Sequence, residues 1–103
     1  MTLDEVRPIM ARAADAFGLL GAIRPYAAGG YVARLIRGSY VTEFVRSTPQ
    51  DAARAAVYRL KQELGLEPGV FATDSDAAHE RRHRQLDALS EAYAALGGDW
   101  RAA

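Results

Sequence analysis

Residues 79–83 read His79-Glu80-Arg81-Arg82-His83. On a helix the two histidines stand one turn apart and present two imidazoles to a single zinc ion, with the glutamate between them placed as a general base for hydrolysis. The surrounding letters set a different expectation. A catalytic zinc needs a third protein ligand. Leu86 and Leu89 stand three and six residues past the second histidine, which leaves Asp87 and Glu91 as the nearby carboxylates. Arg81 and Arg82 also place two cations beside a dication. Glu80 and Arg84 have the favourable i,i+4 spacing for an ion pair on a helix. The run therefore reads as a solvated, salt-bridged helical face, with His79 and His83 as weak metal candidates and no cofactor expected.

Over these five residues the chain resembles the zincin metalloproteases. That resemblance implies a zinc-dependent hydrolase with His79 and His83 as ligands and Glu80 as the base, a remote alternative for this chain. In that family the helix is buried and the two intervening positions are uncharged. Its extended signature has glycine and a third histidine where Leu86 and Leu89 stand. Other chemistry finds less support. Gly29-Gly30 lacks the further glycines, the lysine and the helix start of a phosphate loop. Ser39, Ser47, Ser75 and Ser90 have no base at a recognisable spacing. No catalytic residue is expected, and the chain reads as a non-enzyme.

The bulk numbers fit that reading. At 103 residues, half apolar and a quarter charged, the chain has the size and composition of one folded domain. With no cysteine it can make neither disulfides nor thiolate sites. It has no apolar run near the roughly 20 residues of a membrane span. Asp4, Glu5 and Arg7 so early do not read as a signal peptide, so a cytoplasmic protein is expected. The net charge is zero but unevenly spread. Residues 23–47 hold four arginines against Glu43, a net +3, whereas residues 69–103 hold four arginines against six carboxylates, a net −2.

The positioning elements follow from periodicity and punctuation. Leu3, Val6, Met10, Ala13 and Phe17 recur at helical spacing. Thr2 and Glu5 suit a capping box, but Pro8 argues for a start nearer Arg7, and Gly18 ends the helix. Residues 19–26 predict a strand. Residues 31–37 and 40–46 predict two more, joined by Gly38-Ser39, whose leading glycine signals a type II′ hairpin. Thr48 and Pro49 open a second helix, in which Ala53, Ala56, Val57, Leu60 and Leu64 form the apolar stripe. Gly65 stops it. After a linker, Ser75 or Asp76 opens a third helix that runs to about Leu96 and carries Leu86, Leu89 and Tyr93 on its stripe. The fold class is α+β in the order α-β-β-β-α-α. A three-stranded antiparallel sheet carries two helices on one face, and a third, C-terminal helix packs on the sheet or on a partner. Residues 1–68 form the αβββα core, and 69–103 add the linker, last helix and tail of the same domain.

The hairpin register separates two faces. Tyr31, Ala33, Leu35, Arg37, Tyr40, Thr42, Phe44 and Arg46 share one, and Val32, Arg34, Ile36, Val41, Glu43 and Val45 share the other. Burying the Arg34–Glu43 pair costs several kcal/mol per ion before its attraction is counted, so the first face is expected under the helices. The second is then an aliphatic patch that marks a contact, covered by the third helix, a second subunit or another partner. The interface expectation is Val32, Arg34, Ile36, Val41, Glu43 and Val45 with Leu86, Leu89, Tyr93 and Trp100. The function expected is stoichiometric protein binding by an adaptor, inhibitor or regulatory subunit, with a homodimer as one form.

The alternative is nucleic-acid binding through Arg24, Tyr26, Arg37, Tyr40 and Arg46, side chains that pair phosphates and stack on bases. The order of elements over residues 1–64 is similar to double-stranded RNA-binding domains. The hairpin leading into residues 47–57 resembles the arm domains of phage integrases. The first resemblance implies a lysine-rich start to the helix after the sheet, where this chain has Thr48, Pro49, Gln50 and Asp51. Residues 86–100 look like the closing helix of outer-membrane efflux proteins, a likeness limited to that segment.

Overall fold

The computed structural model describes residues 1–66 and 76–98, the side chains of 64–66 excepted. Thr2 opens the first helix, α1 (Leu3–Asp15), with a complete capping box. The Glu5 amide donates to Thr2 Oγ1 at 3.3 Å, and the Thr2 amide donates to Glu5 Oε1 at 3.0 Å. The reciprocal pair satisfies first-turn donors that a helix otherwise leaves open. Those bonds also hold the Glu5 carboxyl below the usual carboxylate range. The cap decides where the helix begins, which corrects the expected start near Arg7. Pro8 lies inside the helix on its exposed side, losing the one hydrogen bond that its nitrogen would have donated to the preceding turn. Gly18, at φ +71°, then lets the Leu19 amide turn back to the Ala14 carbonyl at 3.0 Å.

The three strands, β1 (Leu20–Pro25), β2 (Tyr31–Arg37) and β3 (Tyr40–Arg46), form one antiparallel sheet in chain order. Gly38 takes φ +59° while Ser39 does not take positive φ, as a II′ turn requires. The β2–β3 register pairs Arg34 with Glu43 and Ile36 with Val41. The second helix, α2 (Pro49–Leu66), starts where Thr48 Oγ1 accepts from the Asp51 amide at 3.1 Å. The Asp51 carboxylate turns to Arg54 at 3.6 Å. The helix runs to Leu66, one residue beyond the expected stop at Gly65. The expected linker and Ser75 lie outside the described residues. The third helix, α3 (Asp76–Leu96), ends at Gly97 with φ +78°, and the Gly98 amide donates to the Tyr93 carbonyl at 2.8 Å.

These elements stack in three layers. The sheet lies under α1 and α2, with α1 over β1 and α2 over β2 and β3, and α3 packs on the two helices rather than on the sheet. This corrects the expectation that α3 packs on the sheet. The reason lies in α1 and α2, each of which buries more than one stripe. Ala13 and Ala14 of α1 are both buried, as are Ala52, Ala53, Ala56, Val57 and Leu60 of α2. Small side chains on the side away from the sheet leave a seat for Leu89, Ala92, Tyr93 and Leu96, all in the same core cluster. Two polar ties fix the seat. Gln50 Nε2 donates to the Leu96 carbonyl, and Arg54 Nη2 donates to the Gly97 carbonyl at 2.7 Å. A cation at a helix C-terminus also complements the helix dipole. Burial pushes the Tyr93 phenol above its ordinary range.

One glycine shows how closely the first two layers meet. A Cβ on Gly21 would stand 2.8 Å from Ala14 Cβ and 2.9 Å from the Met10 carbonyl oxygen. The backbone of β1 reaches α1 there because neither side has bulk.

Candidate functional site

The face of the sheet turned away from the helices is a three-by-three grid set by the register. Leu20, Ile36 and Val41 form one row, Ala22, Arg34 and Glu43 the middle row, and Arg24, Val32 and Val45 the third. The ion pair expected from the sequence is present, with Arg34 Nε 3.0 Å from Glu43 Oε2. Around it Leu20 is 63% exposed, Val41 46% and Val45 41%. No described element packs on this face, since α1 and α2 hold the opposite one and α3 lies beyond them. The middle of the grid is therefore polar and paired, one end is an aliphatic row open to water at Leu20 and Val41, and the other sets exposed Arg24 and Val45 on either side of a buried Val32.

The structure sorts the residues expected at an interface. Arg34, Ile36, Val41, Glu43 and Val45 stand together on the open face. Val32 shares that face but is fully buried, flanked across the ladder by Arg24 and Val45, and has no surface to offer a partner. Leu89 and Tyr93 are buried in the chain's own core and Leu86 packs against it, so α3 spends its stripe internally. Trp100 lies outside the described residues. Leu20 and Ala22 were missed, because a two-strand register does not assign β1 to a face. The alternation of Leu20, Ala22 and Arg24 against Gly21 and Ile23 was the signal that could have placed them.

The five residues of the nucleic-acid alternative fall into two groups. Arg24, Tyr26 and Arg46 lie toward the end of the sheet where Pro25 pairs with Tyr31, and Arg37 and Tyr40 lie at the Gly38 turn. Six residue steps along β2 separate these ends by about 20 Å. Arg24 also belongs to the open face, whereas Arg37 and Tyr40 have the parity of the helix-covered face.

His79 and His83 are exposed near the start of α3. Among the described residues no group of three histidine or carboxylate side chains is placed to hold a metal ion. Among the same residues no helix is long and apolar enough to cross a membrane. Comparison with known proteins found no match to this chain among family models, curated proteins or solved structures.

Proposed function

We propose that this chain is a non-enzymatic protein-binding module whose contact surface is the open sheet face, and that the occupant of that face is a second copy of the chain. The observation that carries the reading is the Arg34–Glu43 pair at the centre of a face that exposes Leu20, Val41 and Val45 around it. A partner covering this face must bury Leu20, Val41 and Val45 and still satisfy the central cation and anion, while Arg24 on the edge strand β1 keeps its head in water. A copy related by a two-fold axis does both, because it sets its own Glu43 against Arg34 and its own Arg34 against Glu43.

The size of the face bounds the affinity. Three strands about 4.8 Å apart, one of six residues and two of seven, make a patch of about 14 Å by at most about 24 Å. That is well short of the roughly 800 Å² per partner in a stable standard interface. The association is therefore weak and concentration-dependent, with the micromolar-or-weaker affinity of small transient contacts.

Sedimentation equilibrium from about 1 μM to 1 mM, the range in which small contacts form, tests the reading. The mass is expected to rise toward that of a dimer. Leu20→Asp or Val41→Asp should return it to that of the monomer. Arg34→Glu alone and Glu43→Arg alone should each weaken association, and the double swap should restore it. A monomer throughout the range, or association indifferent to both aspartate substitutions, sinks the proposal.

A further inference from the structure

At the Gly38 end of the molecule, on the helix side of the sheet, the end of α1, the end of β2 and the first half of α3 enclose an open cleft of about 670 Å³. Its wall carries Arg12, Arg37, Arg81 and Arg84, with Asp15 as the carboxylate among them, a net +3 in a chain whose total is zero. We propose that this cleft binds a phosphate-bearing small molecule.

Clustered like charges repel, and most arginines of this fold have a carboxylate or a carbonyl beside them. Arg37 Nη2 is fixed on the Phe17 carbonyl at 2.8 Å, which aims its planar head and leaves other donors unused. Arg12 has only a distant partner, Glu91 at 4.0 Å. Arg81 and Arg84 have no ion pair among the described residues, so the Glu80–Arg84 pair expected from the i,i+4 spacing is not formed. Guanidinium forks from separate elements match the paired oxygens of a phosphate better than a single carboxylate does.

Gln85 supplies a second observation. It lies in the same wall, is 3% exposed, and its Oε1 has no hydrogen-bond partner among the described residues. The two ends of a glutamine amide exchange by rotation, so this group can give or take a hydrogen bond from a ligand that reaches it. Phe17 and Ala88 add an apolar wall. The volume lies within the range of small-molecule sites.

A long polyanion fits less well, because it needs a continuous row of cations along its backbone. Arg24 and Arg46 sit at the other end of the sheet, about 20 Å away along the strands.

Calorimetric titration with pyrophosphate, orthophosphate and sulfate at about 50 mM salt, where phosphate contacts are strong, tests the site. One equivalent of pyrophosphate is expected to bind, more weakly as salt rises. Arg81→Glu with Arg84→Glu should weaken binding about tenfold or more, a loss expected when paired guanidinium contacts go. The same charge change at Arg24 and Arg46 should leave it within about twofold, since charges that far apart are screened. Orthophosphate binding as tightly as pyrophosphate points to a monoester, and a preference for pyrophosphate points to a diphosphate or triphosphate ester. No heat up to about 10 mM pyrophosphate, sulfate binding equally well, or equal loss in the Arg24 and Arg46 control overturns the assignment.

Discussion

Leu35 and Ile36 are neighbours in β2, yet they belong to different environments. Leu35 is 2% exposed beneath α2, while Ile36 stands half-buried in a row with exposed Leu20 and Val41. The two faces of the sheet share strands, register and twist. They differ in what is laid on them. On the helix side, Ala33, Leu35 and Ile23 meet the alanine-rich stripes of α1 and α2, and Gly21 lets α1 close to backbone distance. On the other side no described element is laid, and a charge pair takes the centre. Burial in this sheet thus follows layering more than apolarity, with Val32, on the open face between Arg24 and Val45, as the exception.

Substitutions that compare the two faces should show effects of different kinds. Leu35→Ala removes a buried side chain from the covered face and is expected to cost about 2–5 kcal/mol, as deletions at packed core positions do. Thermal unfolding should then fall by more than about 8 °C, and a drop under about 3 °C would show that the helices do not press on this face as the structure has them.

Gly21→Ala adds one carbon where Ala14 and the Met10 carbonyl leave no room. A destabilisation of about 1–3 kcal/mol is expected from the forced separation of α1 and β1. Urea denaturation measures it, and a variant as stable as the parent would mean that the two elements are not in close contact.

Val41→Ala, on the open face, should change the stability of the dilute monomer by no more than about 0.5 kcal/mol, as at ordinary surface positions. A loss as large as that of Leu35→Ala would show that this face is also interior, and the comparison would collapse.

Much of this arrangement was legible in the chain. The hairpin register followed from Gly38-Ser39, because a two-residue turn fixes every facing pair on both strands. The choice of covered face followed from the Arg34–Glu43 pair, since an ion pair resists burial. The boundaries of α3 followed from Asp76 and Gly97. The start of α1 was misjudged because Pro8 was weighted above the cap, although Thr2 and Glu5 were both in view. The candidate contact surface was half legible. Its β2 and β3 members were named, Leu20 was not, and Val32, Leu86, Leu89 and Tyr93 were assigned to a surface that they do not form.

Local interactions set what the sequence determined by itself: the six elements in order, their caps and turns, and the parity of each strand. These depend on residues within a few positions of one another, and the letters record them directly. The tertiary structure alone decided where α3 goes. Its stripe of Leu89, Ala92, Tyr93 and Leu96 is apolar enough to cover either the open sheet face or the backs of α1 and α2. The second site offers the alanine seat, with Gln50 and Arg54 ready to take the carbonyls at its end. That choice leaves the grid around Arg34 and Glu43 uncovered by any described element. It also brings Arg81 and Arg84 of α3 beside Arg12 and Arg37, residues separated by more than forty positions in the chain.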